Sequence, residues 1–552
     1  MVIRYSTQLI IFLAFSIHGI AQSLPDNMPP FTVTLNGTQG DGYLFVSPID
    51  MTTPNSNWPS TILLLDNQGA PVFYMPVSNS TSAPYARQAI GNFQLHNNGL
   101  MSFTDALFGP GESIFIMDST FTLIDTLTCT PPYKLDGHDF VITDDGHYHL
   151  LAMEERIIDM SASITESGPY GDTNCLVIGH IIQEFDETNT LVGEWKSLDH
   201  FAPEDIYWYY FLDPSTVDHA HVNSLFVDHE GNYIISSRSL NEVTRINHAT
   251  GDIMWRLGGK NNEFTLIGDT TLFTAQHDAQ YYSDGRVVLF DNGTFSEPHE
   301  VARMLTCELD TVAMTANAIV SEWHPNDFYS GFMGSYRYVD PNHRLVCWGG
   351  GYNYSVGKSI QEFDEFWNET MSLDLEDGLV SYRALKATIP WEINRPEIDC
   401  DGINSTLSGP SGASSYLWST GDSTQSITIT SAGIYQLWTN IGDGFISSEP
   451  FEVLDSSNIC SAAGLNELVR ADLTVFPNPA NEIITIQVSV NVSGPVELLL
   501  TDLQGRVVRT KNVMLDEYEI SFNVSDVPTG LYRVTLMDNN SKVATKLVNI
   551  QN

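Results

Sequence analysis

The stretch "QEFDETNTLVGEW", residues 183–195, leaves an apolar strand, passes through an acidic turn and enters a second apolar strand. Alternation of apolar and polar residues on both sides of such a turn is typical of two paired antiparallel strands. The same arrangement recurs at "LLLDNQGAPVFYM" (63–75), "FIMDSTFTLIDTL" (115–127), "TRINHATGDIMWRL" (244–257), "CELDTVAMTANAIVSEW" (307–323) and "QEFDEFWNETMSL" (361–373). A β unit therefore repeats along the chain.

This repeat has a loose period. Its turn residues are Asp66, Asp118, Asp186, Asn247, Asp310 and Asp364. Neighbouring turn residues lie 52, 68, 61, 63 and 54 positions apart, and repeats of this length with several short strands each are typical of propeller blades. Helical periodicity is almost absent from the chain. We therefore predict an all-β protein in which residues 31–394 form a six-bladed β-propeller.

A second repeated element precedes most of these turns. It is a hairpin pattern at "GNFQLHNNGLMSF" (91–103), "HDFVITDDGHYHLL" (138–151), "HVNSLFVDHEGNYIISSR" (221–238), "HDAQYYSDGRVVLF" (277–290) and "SYRYVDPNHRLVCW" (335–348). The innermost strand of a propeller blade begins at the mouth of the central channel. Four residues begin such strands and would meet there: His138, His221, His277 and Ser335. Core packing has no need of imidazole, so three histidines at one phase of a repeat indicate a site.

Two further candidates belong to one of these hairpins. Arg238 in "SSRS" (236–239) follows His221 by 17 positions, so a returning strand would bring it back to the same mouth. Asn223 lies on the outgoing strand. A guanidinium offers a planar fork for sulfate or phosphate oxygens, and amide and imidazole groups add donors. We therefore predict an anion cradle, suited to a transferring group whose charge is spread over three oxygens.

The bulk composition bounds the partners. The 552 residues carry a formal net charge of −44, which argues against nucleic acid and anionic lipid as electrostatic partners. The first residues contain Arg4, an apolar run over 9–17 and a small-residue site that ends at Ala21, the pattern of a secretory signal over residues 1–21. No later stretch approaches the ~18 apolar residues of a membrane helix. We expect export through the Sec pathway and no transmembrane segment after cleavage.

Residues 397–462 are expected to form a separate small domain. Alternating strands and short turns predict an immunoglobulin-like β-sandwich that serves as a spacer. Cys400 and Cys460 bracket this domain and could clamp its ends. The pairing of the other cysteines cannot be deduced from Cys129, Cys175, Cys307 and Cys347. No CxxC motif is present, which argues against a zinc or redox site.

The last segment, residues 466–552, contains "FPNPAN" (476–481), "DLQGRVV" (502–508) and "GLYRV" (530–534). In this order the three pieces resemble the type A C-terminal sorting domain of the type IX secretion system of Bacteroidota, which we expect to be a second small β-sandwich. The resemblance implies passage through the type IX secretion machinery to the cell surface or the medium. It implies nothing about catalysis.

The region before residue 394 resembles another family. Its motifs are "DGYLFVSP" (41–48), "DHAHVNSLFVD" (218–228), "SSRSLNEVTRINHATGDIMWRLGG" (236–259), "QHDAQ" (276–280) and Trp-Gly-Gly-Gly (348–351). As an ordered set they are similar to those of the bacterial arylsulfate sulfotransferases, six-bladed propellers that need neither a cofactor nor the sulfate carrier PAPS. The resemblance covers about residues 40–393. It implies transfer of a sulfuryl group from an aryl sulfate ester to a phenolic acceptor.

The resemblance also implies roles for single residues. His277 would be the nucleophile that becomes sulfohistidine in a ping-pong reaction, and His138 would bind sulfate and act as acid or base. Sulfate binding is assigned to His221, Asn223, Arg238 and, from its repeat phase, Ser335. Neutral imidazole is a competent nucleophile near pH 7, and covalent catalysis splits one transfer into two easier ones. A second histidine can supply a proton to the leaving phenolate.

An aromatic stretch lies directly before the His-x-Asn motif. It reads "HFAPEDIYWYYFLDPS" (200–215) and includes Tyr209 and Tyr210. It is either a hydrophobic plug in a loop or an aromatic wall that stacks on the phenol rings of donor and acceptor.

Alternatives stay open at this point. His138, His221 and His277 could bind a divalent metal ion in a propeller hydrolase or lyase, although the guanidinium of Arg238 would repel a dication. The channel could instead belong to a non-catalytic secreted surface-binding protein. Transfer to water would make the protein an arylsulfatase in practice. Acidic turns could hold a structural calcium, but no EF-hand pattern supports one.

Overall fold

A computed structural model gives the fold of the chain. It describes Pro25 and residues 28–550 except 52–57, 78–89, 106–112, 162–163, 166–167, 170, 211–212, 214, 269–272, 294–300, 325–328, 351–357, 377, 454–471, 478–479, 490–494, 503–506, 515–518, 529 and 539–540. The predicted signal peptide (1–21) lies outside the described residues. Within the described part, no helix is long and apolar enough to cross a membrane.

Strands dominate the first part of the chain. They are β1 Phe31–Leu35, β2 Tyr43–Asp50, β3 Ser60–Leu65, β4 Pro71–Val77, β5 Gly91–Leu95, β6 Met101–Thr104, β7 Ile114–Met117, β8 Leu123–Leu127, β9 Lys134–Ile142, β10 Tyr148–Ile158, β11 Ile164–Thr165, β12 Gly168–Pro169, β13 Cys175–Phe185, β14 Leu191–Lys196, β15 Thr216–Asp218, β16 Val222–Val227, β17 Tyr233–Ser237, β18 Glu242–Ile246, β19 Ile253–Gly258, β20 Thr265–Ile267, β21 His277–Tyr281, β22 Arg286–Asp291, β23 Arg303–Asp310, β24 Thr315–Trp323, β25 Ser335–Asp340, β26 His343–Cys347, β27 Ile360–Asp364, β28 Glu369–Leu375 and β29 Leu379–Ala387. Helix in the described residues is limited to 3₁₀ turns at Ser197–Asp199, Pro203–Asp205, Trp208–Tyr210 and Arg238–Leu240.

The remaining strands follow after residue 398. They are β30 Asp399–Asp401, β31 Thr406–Ser408, β32 Tyr416–Trp418, β33 Ser426–Thr428, β34 Gly433–Tyr435, β35 Leu437–Ile441, β36 Gly444–Ser447, β37 Phe451–Val453, β38 Asp472–Phe476, β39 Ile483–Ser489, β40 Pro495–Asp502, β41 Val507–Met514, β42 Glu519–Asn523, β43 Gly530–Asp538 and β44 Ser541–Ile550. The prediction of an all-β protein is confirmed.

The sheets of the first region surround a common axis. Their strand orders are β29-β2-β3-β4, β5-β6-β7-β8, β9-β10-β13-β14, β16-β17-β18-β19, β21-β22-β23-β24-β20 and β25-β26-β27-β28-β1. The first strand of each order contacts the first strand of the next sheet, so β29, β5, β9, β16, β21 and β25 form a closed ring. Both ends of the region close it, because β29 joins the first sheet and β1 the last. This is the propeller architecture that the sequence predicts.

The repeated turns are held by the side chain that marks the repeat. Asp186 Oδ1 accepts hydrogen bonds from the backbone N–H groups of Thr188 and Thr190, each at 2.9 Å. Similar bonds are accepted by Asp66, Asp118, Asp310 and Asp364. A carboxylate that bonds the backbone two residues on closes an Asx turn. This local chemistry is why the repeat is visible in the sequence, and each of its six copies lies in a different sheet.

Part of the expected spacer extends the first propeller sheet. Strand β36 pairs with β4, where Phe445 lies opposite Tyr74, and β35 and β32 continue the sheet outward. Residues 411–424 and 437–449 accordingly belong to the same compact unit as the propeller. The two compact units therefore divide residues 397–462 between them. The outer edge of β4 would otherwise present unpaired N–H and C=O groups, and β36 satisfies them.

The second compact unit consists of residues 398–410, 425–436 and 450–552. In its last part, β38-β39-β42 and β41-β40-β43-β44 form two antiparallel sheets. Their shared core contains Ile484, Ile486, Leu498, Leu500 and Val534. Two sheets on one core are the arrangement predicted for the sorting domain. Cys400 is disulfide-bonded, and Cys460, its expected partner, lies outside the described residues.

Candidate active site

The candidate histidines lie where the inner strands are interrupted by β-bulges. The register of β21 on β22 shifts between His277 and Gln280. The register of β9 on β10 skips the residues between Asp136 and Phe140, which include His138. Strand β16 has a similar shift at its start. Bulges bend a strand and redirect its side chains, and they are common next to active sites.

A buried charge network holds two of these bulges. Asp278 and Asp139 each directly follow a candidate histidine. Arg337 donates from Nε (2.8 Å) and Nη2 (2.5 Å) to Asp278, and Arg383 donates from Nη1 to Asp139 Oδ2 at 2.9 Å. The Nε of Arg383 also lies 3.4 Å from Asp278 Oδ1. Burial opposes ionisation of Asp278, but the two arginines outweigh it and lower its pKa, so the network stays charged and rigid.

His277 is buried among neutral hydrogen-bonding groups. Its Nδ1 lies 2.7 Å from Asn292 Oδ1 and 2.9 Å from the carbonyl oxygen of Ala275. Both are acceptors, so Nδ1 carries the hydrogen and Nε2 keeps its lone pair. The backbone N–H of Met333 donates to this Nε2 over a long 3.2 Å. The surroundings therefore fix the tautomer in which Nε2 carries the lone pair.

The amide of Asn292 is itself oriented. Its Nδ2 donates to the carbonyl oxygens of Ser330 (2.9 Å) and Met333 (2.8 Å), which leaves Oδ1 to face His277. The loop that carries these carbonyls packs on Gly349, which has φ +67°. A Cβ at Gly349 would lie 2.6 Å from the carbonyl oxygen of Phe332. The glycine in the Trp-Gly-Gly motif thus permits the close approach that positions the support of His277.

Burial sets the charge of His277. It lowers the pKa of His277 well below the ordinary value, and the positive charge of Arg238 lowers it further, while the Asn292 hydrogen bond acts in the opposite direction. The imidazole is therefore neutral at pH 7, the form required of a nucleophile.

His138 and His221 meet carboxylates instead. The Nδ1 of His138 donates to Asp136 Oδ1 at 2.5 Å, and the Nδ1 of His221 donates to Asp218 Oδ2 at 2.6 Å. An ionised carboxylate only accepts, so each imidazole is left with Nε2 for other partners. The two ring centroids are 5.0 Å apart. The side chains are 17% and 25% exposed, so both can reach a molecule that enters from solvent.

Arg238 returns to the same place as His221. Its backbone N–H donates to the carbonyl oxygen of His221 at 3.0 Å, and Val222 pairs with Ser237, so the predicted hairpin return is confirmed. The Nη2 of Arg238 donates to the carbonyl oxygen of Gly331 at 3.2 Å. Its guanidinium lies 4.7 Å from the ring centroid of Tyr210, which places the aromatic stretch against the cradle. The remaining N–H groups of this half-buried guanidinium suit a sulfate group.

Asn223 and Ser335 lie in the wall of the ring. Asn223 donates from Nδ2 to the carbonyl oxygen of Gln276 at 2.7 Å, and its Oδ1 is buried with no hydrogen-bond partner among the described residues. Ser335 Oγ bonds the backbone of Ala384 on the neighbouring strand. Both side chains tie inner strands together, and their sulfate-binding role stays a prediction.

Several residues that contact the candidates are not predicted from the sequence. Tyr382 lies between two histidines, with ring centroids 5.9 Å from His138 and 6.4 Å from His277, and its hydroxyl donates to the carbonyl oxygen of Asn223 at 2.8 Å. Further residues that were missed are Asn292, Asp136, Asp218 and His180. Two signals could have found some of them: the carboxylates precede their histidines by two or three positions, and Asn292 ends the hairpin that His277 begins.

The metal alternative gains no support from the site geometry. Among the described residues, no group of three or more His, Cys, Asp or Glu side chains is arranged to hold a metal ion. The chelator experiment described below tests whether the activity depends on a metal ion.

Comparison with protein families identifies the chain. The family model "Arylsulfotransferase (ASST)" matches residues 35–383, a range that contains every candidate residue. The chain belongs to the arylsulfotransferase family, which supports a sulfotransferase function. The family model "Secretion system C-terminal sorting domain" matches residues 474–551 and supports export to the cell surface or the extracellular space. Both resemblances read from the sequence are confirmed. No curated protein matches the chain.

Several solved structures are distantly similar to the chain. A protein of unknown function from Bacteroides caccae has a TM-score of 0.39 at 12% identity, and the match covers 62% of this chain and 98% of that one. Streptogramin B lyase has a TM-score of 0.27 at 11% identity, with 68% and 97% covered. An apocarotenoid oxygenase from Synechocystis has a TM-score of 0.29 at 10% identity, with 80% and 92% covered. Similarities this distant do not bear on function.

Proposed function

We propose that the protein moves a sulfuryl group from an aryl sulfate ester to a phenolic acceptor by a ping-pong mechanism, with His277 as the covalent carrier. The observation that carries the proposal is the state of His277: it is neutral, its hydrogen is held on Nδ1 by Asn292, and its Nε2 accepts only a long bond from Met333. No cofactor is required for this chemistry.

In the first half of the reaction, Nε2 of His277 attacks sulfur and the bond between sulfur and the aryl oxygen breaks. The Met333 hydrogen bond is given up as Nε2 forms its new bond. The phenolate leaves with a proton from the Nε2 of His138 or His221, whichever is protonated. Donors such as Arg238 stabilise the negative charge on the sulfuryl oxygens. The Asn292 oxygen stabilises the positive ring of the sulfohistidine.

In the second half, a phenolic acceptor replaces the first product. Its hydroxyl gives a proton to the imidazole that lost one, its oxygen attacks sulfur, and the bond between sulfur and Nε2 breaks. His277 returns to its neutral form, and no proton is gained or lost over the cycle. Transfer to water would follow the same course with water as the acceptor.

Steady-state kinetics on the full chain test this proposal. Initial rates with 4-nitrophenyl sulfate as donor and phenol as acceptor should give parallel double-reciprocal lines, and they should be unchanged after treatment with a chelator. Rates abolished by the chelator and restored by a divalent ion would support the metal-dependent alternative. Nitrophenol release that phenol does not accelerate would indicate an arylsulfatase, and no release at all would leave a binding protein.

The proposed location follows from the two ends of the chain. The first 21 residues would direct the chain through the Sec pathway, and the sorting domain would then be handled by the type IX secretion machinery. Donor and acceptor are therefore small molecules met outside the inner membrane. A pulse-chase experiment with and without residues 1–21 tests the first step: the truncated chain should stay in the cytoplasm.

A further inference from the structure

His180 lies behind the two carboxylate-bound histidines. It belongs to β13, its side chain is 2% exposed, and its Nε2 lies 3.2 Å from Asp136 Oδ2 and 3.9 Å from Asp218 Oδ1. The other oxygens of the same two carboxylates accept the hydrogen bonds from His138 and His221. A single buried imidazole therefore connects both carboxylate–histidine pairs.

The position of His180 answers an electrostatic problem. Asp136 and Asp218 are close enough for each charge to disfavour the other. Asp136 Oδ2 and Asp218 Oδ1 are both buried, and both face the Nε2 of His180. Two such carboxylates are costly without a cation between them. Burial disfavours the charged form of His180, but the Asp136 hydrogen bond and the charge of Asp218 outweigh it and raise the pKa of His180.

The groups around His180 come from several elements. Asp136 approaches it from β9 and Asp218 from β15, and the ring of His221, just before β16, lies 6.3 Å away. The backbone N–H of His180 donates to Ser197 Oγ at 2.8 Å, and this hydrogen bond fixes the position of this part of β13. The charged neighbours that face the imidazole are thus mainly carboxylates, which favour its protonated form.

We propose that His180 is a positioning residue that clamps Asp136 and Asp218 and thereby holds the Nε2 atoms of His138 and His221 ready for proton exchange with the phenol. The inference rests on the proposed function, since it concerns the acid–base half of that reaction. His180 keeps its own proton throughout. The proton that moves travels between the phenolic oxygen and the Nε2 of His138 or His221, so the charge of the clamp is constant over the cycle.

Two substitutions in the full chain test the clamp. His180→Leu removes both the donor and the charge, and His180→Gln keeps a neutral donor near the position of Nε2. With phenyl sulfate, whose leaving group needs a proton, we expect His180→Leu to lower kcat about 10- to 100-fold with little change in KM. Loss of the cation should raise the pKa of His221, which must be protonated to act on this donor, and so move the alkaline limb of kcat/KM upward by about one pH unit in both variants. His180→Gln should recover part of kcat but keep the shifted limb.

The control is His96→Gln. His96 is another buried histidine, directly after the inner strand β5, but its ring bonds neutral groups, Ser102 Oγ at 2.7 Å and the backbone N–H of Ile142. We expect this variant to lose some stability and to keep the wild-type pH profile. The proposal is overturned if His180→Gln also keeps the wild-type profile, or if its activity falls only in proportion to the loss of folded protein.

A second measurement, detection of the sulfuryl adduct on His277, tests the proposed function independently of the clamp. Wild-type protein and His180→Gln should both form the sulfuryl adduct on His277 with 4-nitrophenyl sulfate, because nitrophenolate leaves without help from an acid. An adduct in both, with an unshifted pH profile, refutes the clamp alone. Absence of the adduct from wild-type protein refutes the mechanism on which the clamp depends. If His180→Leu does not fold, His180→Gln decides the outcome by itself.

Discussion

His277 and the pair His138–His221 are the same side chain in opposite surroundings. His277 is 2% exposed and its Nδ1 faces an amide and a carbonyl oxygen. His138 and His221 are partly exposed and face carboxylates. A neutral acceptor fixes the tautomer without favouring the cation, whereas a carboxylate fixes the tautomer and also stabilises the imidazolium.

In the proposed two-step transfer, this difference would assign the nucleophilic and the acid–base roles to different histidines. A nucleophile must be unprotonated at the operating pH, and an acid–base group must hold and release a proton there. The partner of Nδ1, rather than the histidine itself, therefore decides the role. Burial lowers the pKa of both His277 and His221, the Asp218 carboxylate acts in the opposite direction on His221, and the charge of Arg238 lowers both pKa values further. Arg238 would therefore affect both halves of the proposed reaction.

The largest loss of activity is expected from a substitution at Arg238, which acts on both His277 and His221. Arg238→Ala should lower kcat/KM about 10²- to 10³-fold, by analogy with the loss of one donor to a developing anion. Its thermal midpoint should change little, because the side chain is half-buried and makes few bonds to the protein. Arg238→Lys, which keeps the charge and loses the fork, should fall between the two. A drop in midpoint that accounts for the lost activity would instead make Arg238 a structural residue.

The next largest effect concerns the carboxylate side of the comparison. Asp218→Asn gives His221 a neutral partner like that of His277. We expect the rate with phenyl sulfate to fall about 10²-fold, and the rate with 4-nitrophenyl sulfate to fall less than about tenfold, since the better leaving group needs no proton. Rates are compared for the two donors at one pH. An equal loss with both donors would contradict an acid–base role for His221.

A smaller effect is expected on the neutral side. Asn292→Ala removes the acceptor that holds the hydrogen of His277 on Nδ1, but the Ala275 carbonyl oxygen at 2.9 Å remains. We therefore expect about a tenfold slower formation of the sulfuryl enzyme under single-turnover conditions. The rate of the second half should fall less. In the sulfohistidine Nε2 is bonded to sulfur, so the ring hydrogen can only be on Nδ1 and Asn292 is no longer needed to select the tautomer. An unchanged first half would show that Ala275 alone fixes the tautomer.

The smallest effect is expected on the free energy of unfolding. It concerns two buried histidines, His96 and His149, that have neutral hydrogen-bond partners and no proposed role in the reaction. Burial lowers the pKa of His96 to about 3 and that of His149 to about 4. Below pH 6.5 the unfolded chain therefore binds more protons than the folded chain, and the free energy of unfolding should fall as the pH falls. Each group contributes at most about 1.4 kcal/mol per pH unit in this window.

Chemical denaturation between pH 7 and 4 measures this effect. His96→Gln should flatten the slope relative to wild type. A slope that does not change would mean that His96 titrates normally in the folded chain.

The features that could be predicted from the sequence are those formed by residues close together in the chain, namely the turns and the hairpins. The turns repeat because a side-chain oxygen of Asp or Asn, such as that of Asp186 or Asn247, accepts backbone hydrogen bonds in each one, so the propeller could be predicted from its turns. The length of the hairpin that begins at His221 predicted that Arg238 returns beside this histidine. The same reasoning, applied to the hairpin that begins at His277, would have predicted Asn292 beside it. Pairing of β36 with β4 joins positions about 370 apart, and no local pattern encodes it.

Two site residues were beyond this reasoning. Tyr382 comes from the closing strand β29, whose approach to the histidines depends on closure of the whole ring. His180 lies in β13, the third strand of its sheet, and reaches the site only because it packs beneath Asp136 and Asp218. Both positions follow from tertiary packing rather than from periodicity in the chain.

The central claim is that His277 carries the sulfuryl group, and intact-protein mass spectrometry tests it most directly. The full chain is mixed with 4-nitrophenyl sulfate without acceptor, beside His277→Ala and a chelator-treated sample. We expect a single sulfuryl adduct that maps to His277, forms with chelator present, is absent from His277→Ala and is discharged by phenol. An adduct on another residue, or nitrophenol release by His277→Ala at the wild-type rate, would contradict the account.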